Sequence, residues 1–438
     1  MLWCVVGCAS TSPPAGSARE PVETFSSGRE DDKVSESGTG HLASADLAHF
    51  LAHADAHAPA IELARARVGL NDAELVEASI KLPSNPIVSA SAGARTAGTL
   101  RGFQFNVAVM QRFEIAGESI ARQEAATARR EVALALVDEV TWQVHVEARR
   151  LYRQLVLAAT VSRQASDFVA FARRWRALVE AEVEAGESSP VLLKLADAEL
   201  ASTQAELLDA QRQEAMLRAR LAAVIGWPEP EVMLEPDVLP PLLEELPPFD
   251  ALLTKLEANH PALRARELDV VAHQANLELA RREAWIKPSF GVSYGQEPSL
   301  GQGFDANIWL VQMNLPLPTW RRNQSGVAMA SASVAIAHRE KDVTFMKLRG
   351  ELFEAWSGLD AAHRRVKLYE DEIVPEMETS LEALQQAYEL GELDLQAVLQ
   401  MRQQLLEVMK SYQSARRDYH EALAMIEGLT GWKSEVER

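Results

Sequence analysis

The chain has 438 residues, of which 47% are hydrophobic, 24% charged and 6% aromatic, and it carries a formal net charge of −19. Such acidity excludes nucleic acid as a partner, because phosphate binding draws its affinity from clustered Lys and Arg. Few aromatics with abundant Ala and Leu favour long helices packed through small side chains over a β-sandwich or doubly wound sheet.

No stretch approaches the roughly 18–20 uninterrupted apolar residues of a spanning helix. Any membrane crossing is therefore made by strands. Residues 1–8 read as the end of a signal peptide lacking its charged n-region. Val5-Val6-Gly7-Cys8 resembles the bacterial lipobox, with Cys8 as the lipid attachment site. Cleavage there removes Cys4 and leaves no disulfide framework. Residues 9–43 are rich in Ser, Gly, Pro and Glu and read as a flexible tether.

The remainder is two copies of one unit. Pro59 recurs as Pro261 and Pro86 as Pro288, both offset by 202 residues; Gly186 recurs as Gly391 and Trp227 as Trp432, both offset by 205. Ordered landmarks at a fixed offset are the mark of an internal repeat. The first repeat spans 44–227, a Pro- and Glu-rich connector 228–248, the second repeat 249–432, and a tail 433–438. Within the first repeat the patterning predicts a helix from Ser44 to Lys81, strands over 86–95 and 102–112, and a helical hairpin over 117–225 with its tip near 186–190. The second repeat predicts a helix to Trp285, strands over 288–296 and 304–315, a helix over 323–390, a tip near 391–394, and a helix to Leu429. A helix of about 70 residues is a rod of roughly 100 Å, which needs continuous partners. Ala125, Ala126 and Ala222 permit close approach between helices.

Alternation assigns faces to the strands. Val88, Phe290, Val292, Tyr294, Trp309 and Val311 form an apolar face, suited to lipid; Ser89, Ser91, Gly291 and Ser293 form a small, polar face, suited to a wet lumen. The strand lengths suit tilted transmembrane strands. Four strands leave unpaired edges that lipid does not tolerate, so a barrel requires oligomerisation, and three copies give twelve strands. Soluble hairpins capping a helical bundle are the other reading of the same strands.

These residues resemble the TolC-like outer-membrane efflux protein family, also called outer membrane factors, over residues 45–432. The resemblance rests on the duplicated unit and on Leu315-Pro316-Leu317-Pro318 through Arg322-Asn323-Gln324-Ser325-Gly326, which is similar to the strand-to-helix junction of the heavy-metal-efflux branch, although Ser325 interrupts the usual Asn-Gln-Gly. It implies a mainly α fold with a small β part: duplicated helical hairpins forming a periplasmic α-barrel, topped by a 12-stranded trimeric β-barrel. It further implies a homotrimer in outer-membrane lipid, a periplasmic adaptor protein, an inner-membrane pump of the resistance-nodulation-division type, and metal cations as cargo. The tips that meet the adaptor and close the aperture map onto Gly186, Glu187 and Ser189, and onto Gly391, Glu392 and Asp394. Where some members place acidic aperture residues, this chain has Ala397 and Gln400.

The candidate chemistry outside that frame is sparse. His49, His53 and His57 lie along one helical stripe able to bind a metal, or equally to form a polar face. Arg173-Arg174-Trp175-Arg176 reads as an anion-recognising patch or as a solvated helix face, and Trp142, Trp175 and Trp356 as helix-packing residues. No nucleophile with a supporting base and no phosphate loop occurs, so neither an enzyme nor a cofactor is expected. The alternative to a channel is a periplasmic or secreted coiled-coil protein that binds partners without a pore.

Overall fold

Pro59 and Pro261 interrupt what the periodicity presents as single helices. Each lacks an N–H and forces the preceding residue into extended backbone, so each starts a new helix at its first position. Helix α1 (Leu47–His57) therefore ends before α2 (Pro59–Ala78), with Ala58 at ψ 123° between them. In the second repeat α5 (Phe249–Asn259) and α6 (Pro261–Arg282) are divided in the same way at His260, whose Nδ1 accepts the backbone N–H of Ala262 at 3.2 Å. The expected single helices 44–81 and 249–285 are corrected accordingly.

The computed structural model describes residues 47–97, 100–228, 241–299, 306–373 and 395–432, with Pro375 and Ala383, all of which lie in one compact unit. The candidate lipid site Cys8, the tether, the tail and the second tip with Gly391, Glu392 and Asp394 fall outside the described residues, as does most of the connector.

After α2 come strands β1 (Ile87–Ala97) and β2 (Leu100–Arg112), then α3 (Glu118–Glu184) and α4 (Pro190–Ile225). The second repeat places β3 (Ser289–Glu297) and β4 (Ala306–Asn314) after α6, followed by α7 (Gln324–Leu368) and α8 (Leu395–Thr430). α3 is continuous for 67 residues, roughly 100 Å. α7 departs from the uninterrupted helix expected over 323–390: it passes at Tyr369–Ile373 into a turn of π-helix, where the Tyr412 hydroxyl donates to Glu370. A π-turn inserts one residue into the ladder, which the amphipathic period alone does not announce.

The strands form one antiparallel sheet in the order β1-β2-β3-β4. The helices repeat that order: α2 packs on α3, α3 on α6, and α6 on α7, leaving α2 and α7 at the flanks. α4 packs beside α3, and α8 lies against both α3 and α7.

Each repeat has its own apolar core. Phe50, Ile61, Leu151, Leu155, Leu221 and Ile225 fill the first; Leu252, Leu256, Leu352, Leu359, Tyr419 and Leu423 fill the second. The ends of α4 and α8 complete these cores. Gly226 takes φ +74° directly beneath the His57 carbonyl, and Gly431 takes φ +65° against the Trp142 ring.

Candidate channel wall

The sheet register gathers the apolar strand residues into rows. Val88, Val109, Val292 and Val311 stand side by side across all four strands, and the next row toward the hairpin loops is Ala90, Val107, Tyr294 and Trp309. Val88, Val292, Trp309 and Val311 are at least half exposed. Aromatic contacts bound this face at both ends. Toward the loops the Tyr294 ring lies 4.7 Å from Trp309 and 5.9 Å from Phe105; toward the helices Phe113 lies 5.8 Å from Phe290.

The opposite face carries the rows Ser89, Ala108, Ser293, Leu310 and Ser91, Asn106, Gly295, Ile308, with Gly291 beside Met110 and Gln312. This face is hollow. Ser91, Gly93, Gln104, Asn106, Ser293 and Glu297 line a recess of about 240 Å³, and Gln312 donates to the Ser293 hydroxyl at 3.2 Å. All residues read from alternation as lipid-facing thus share one face, and all those read as lumen-facing share the other. Leu310 and Ile308 are apolar exceptions on the polar side.

Strand and helix meet at two junctions that dock on the last turn of α6. Gly117, with φ +80°, precedes α3, and Asn323, with φ +54°, precedes α7. Arg282 donates to the Ala116 carbonyl at 2.9 Å, while the Asn323 side-chain amide donates to the Ala280 carbonyl at 2.8 Å. Glu114, nearly buried, pairs with Arg122 here, and Glu118 accepts the Ala116 N–H at 2.9 Å. The second junction carries a sequence motif, Leu315-Pro316-Leu317-Pro318 through Gly326; the first has no such motif.

The described tip is a Schellman turn. Gly186 adopts φ +78°, its N–H donates to Val183 O, and the Glu187 N–H donates to Glu182 O at 2.9 Å. Ser188 donates to the Glu182 carboxylate at 2.9 Å, and Ser189 accepts the Val191 N–H at 3.3 Å ahead of Pro190. Trp175, Val179 and Ala196 form a small core behind this turn.

The His stripe packs on Trp227. The His53 ring lies 4.6 Å from Trp227 and 4.5 Å from His57, and the His49 ring 6.4 Å from Trp227. Among the described residues, no group of three or more His, Cys, Asp or Glu side chains is placed to hold a metal ion. Arg176 is engaged within its own hairpin by Asp197 at 2.8 Å and Glu180 at 2.7 Å, which raise its pKa. Trp142 donates to Gly428 O and Trp356 to Pro247 O at 3.1 Å, so both tie segments together as well as pack. No described helix is long and apolar enough to cross a membrane.

Residues 252–432 match the family described as "Outer membrane efflux protein", and the first repeat duplicates their architecture. The second repeat of the chain is thus similar to the outer membrane efflux proteins. The chain is 24% identical over 321 residues to the cobalt-zinc-cadmium resistance protein CzcC of Cupriavidus metallidurans, covering 73% of this chain and 75% of that protein. Its fold is similar to that of the outer-membrane channel OprN, with a TM-score of 0.70 at 20% identity, covering 88% of this chain and 89% of that one. It is similar also to the Campylobacter jejuni CmeC outer membrane channel, with a TM-score of 0.69 at 16% identity over 88% and 85% of the two chains. For CusC the TM-score is 0.65 at 15% identity, over 88% and 92%. The proteins this chain is similar to are outer-membrane efflux channels that extend into the periplasm, not enzymes.

Proposed function

We propose that three copies of this chain close into one tube, a 12-stranded barrel continuous with a helical barrel, which conducts substrate passively from an inner-membrane pump and its periplasmic adaptor to the outside. The observation that carries this reading is the pair of matching open edges. Among the described residues the sheet ends on unpaired β1 and β4, and the helical layer ends in the same order on α2 and α7.

An open edge in lipid costs several kcal/mol per unsatisfied backbone group, so β4 of one copy has to pair with β1 of the next. The helical flanks are prepared for the same head-to-tail contact. On α7, Met329, Ile336 and Val343 repeat every seven residues, with Met346 and Phe353 beside them, and all are more than half exposed. Leu63 and Leu70 on α2 are likewise exposed and seven apart. A heptad seam of this kind expects a facing helix. A heterologous contact that repeats three times closes into a ring.

In this tube the valine rows and their flanking aromatics face lipid, while Ser89, Ser91, Gly291 and Ser293 line the lumen. Phe103 and Phe113 bracket the outer face of β2 ten residues apart, about 33 Å along the strand. With tilt, that matches the apolar band and aromatic girdles of outer-membrane barrels. Residues 44–227 and 249–432 are the two repeats, and Cys8 is the lipid attachment site. Gly186, Glu187 and Ser189, with Gly391, Glu392 and Asp394, form the tips that contact the adaptor and gate the aperture. Metal cations are the cargo, supported by the junction motif and by the likeness to CzcC.

The protein extracted from outer membranes in detergent is expected to sediment as a trimer and to give discrete conductances in planar bilayers. Deletion of its gene is expected to raise cellular cobalt, zinc or cadmium, measured by elemental mass spectrometry. A detergent-independent, non-conducting monomer would point instead to a coiled-coil interaction protein. Unchanged metal content with intact conductance would remove metals as the cargo.

A further inference from the structure

Arg95 and Glu297 occupy the same position in the two repeats, 202 residues apart, and they bind each other: Arg95 Nη1 lies 2.9 Å from Glu297 Oε2. The pair spans β2. Arg95 is opposite Gly102 on β2, and Glu297 continues the β2–β3 register one residue beyond Gln296, alongside Gln104. Gly102 has no side chain, which leaves the space above the middle strand open for the bridge. Alternation puts Arg95 on the face of Ser91 and Gly93, and Glu297 lines the hollow on that same face. Both sit at the hairpin-loop ends of their strands, the ends away from the helices.

The strands carry few other charges. Arg101 alternates onto the opposite face with Phe103, and Arg112 lies at the helix end of β2. Among the described residues, the strand charges at the outer end of the hollow face are therefore one cation and one anion per chain. A duplicated position would ordinarily hold like residues. Here the copies have diverged to opposite charge.

We propose that Arg95 and Glu297 build an alternating collar of six charges around the outer mouth of the lumen and set the ion selectivity of the channel there. This inference rests on the trimeric channel reading above. Along the closed wall the strand order is β1-β2-β3-β4 and then β1 of the next copy. Glu297 on β3 thus stands two strands from its own Arg95 and two strands from the Arg95 of the next copy. Two strand spacings are roughly 10 Å. Every second strand presents a charge, and the sign alternates around the ring.

Rings of Glu favour cations and rings of Arg favour anions. The interleaved collar balances the two, so it holds the mouth near neutrality while keeping it hydrated. Loss of either partner in all three copies leaves a ring of one sign. Salt screens exposed charges, so the effect is largest at low ionic strength.

The test is the reversal potential of full-length trimers in planar bilayers under a dilute KCl gradient. Glu297→Gln is expected to shift it toward the chloride equilibrium potential, and Arg95→Gln toward that of potassium. The double variant, and the charge-swapped Arg95→Glu/Glu297→Arg variant, are expected to return it to the wild-type value. Conducting single variants with an unchanged reversal potential would overturn the collar, even if their thermal stability falls, because a merely structural ion pair moves stability alone. Wild-type trimers without any conductance would overturn the channel reading and the collar with it.

Discussion

Arg153 on α3 and Glu427 on α8, 274 residues apart, form an ion pair of 2.7 Å with side chains only 3% and 2% exposed. It joins the first repeat to the second where α3 packs against α8. Removing one partner takes a counter-ion from the other charge in a low-dielectric site, a loss of about 3–5 kcal/mol, whereas replacing both with apolar residues of similar volume is close to neutral. Arg153→Met and Glu427→Leu are each expected to lower the melting temperature sharply, and the double variant to recover most of it. A double variant as unstable as the sum of the singles would show that the pair does more than neutralise itself.

Two glycines with similar backbone angles should respond differently to alanine. At Gly226 an added Cβ would stand 2.0 Å from the His57 carbonyl oxygen; at Gly186 it would meet nothing within 4 Å. Gly186→Ala therefore carries only the left-handed backbone penalty, ~1–2 kcal/mol. Gly226→Ala adds a collision with backbone that cannot rotate away, for a total of ~3 kcal/mol or more. Thermal unfolding of the two variants in detergent reads the difference directly, and equal losses would contradict the packing of α4 beneath α1.

His420 gives the fold an acid-sensitive point. Burial, reinforced by Arg153 and Arg416, pushes its pKa down from 6.5 to about 3, so the imidazole is neutral in the folded protein. The unfolded chain takes up a proton below its ordinary pKa and the folded chain does not. The stability linked to this group is therefore intact above about pH 6.5 and is lost as the pH falls from there toward about 3. Melting curves between neutral pH and about pH 4 should show a shallower decline for His420→Gln than for the wild type. Parallel declines would mean that other groups carry the acid response.

Charge tolerance should distinguish the two faces of the sheet. Val311 is 84% exposed in the central valine row. An arginine there would face hydrocarbon in the assembled barrel, at a cost of about 2–4 kcal/mol near the bilayer midplane. Val311→Arg is expected to reduce the folded trimer in outer-membrane fractions, judged by heat-modifiable gel mobility. Ser91→Arg, on the hollow face, should assemble and lower single-channel conductance instead. The reverse pattern would exchange the lipid and lumen faces.

The duplication, the four strands, their two faces and the long helices were legible in the sequence because each is a local or periodic property. Alternation fixes which strand residues share a face, and the fixed offset aligns one repeat with the other. That offset also pairs Arg95 with Glu297, yet only the register across β2 shows that the two side chains touch. The helix breaks at Pro59 and Pro261 were signalled by proline but masked by apolar periodicity running through them. The His49, His53 and His57 stripe had two readings, and the approach of Trp227, 170 or more residues away, was needed to show what it packs against. The Arg153–Glu427 pair and the docking of both junctions on α6 had no sequence signature at all. Sequence spacing dictates what a segment can form by itself, whereas contacts between distant segments depend on how the two repeats fold onto each other, and only the tertiary structure decides those.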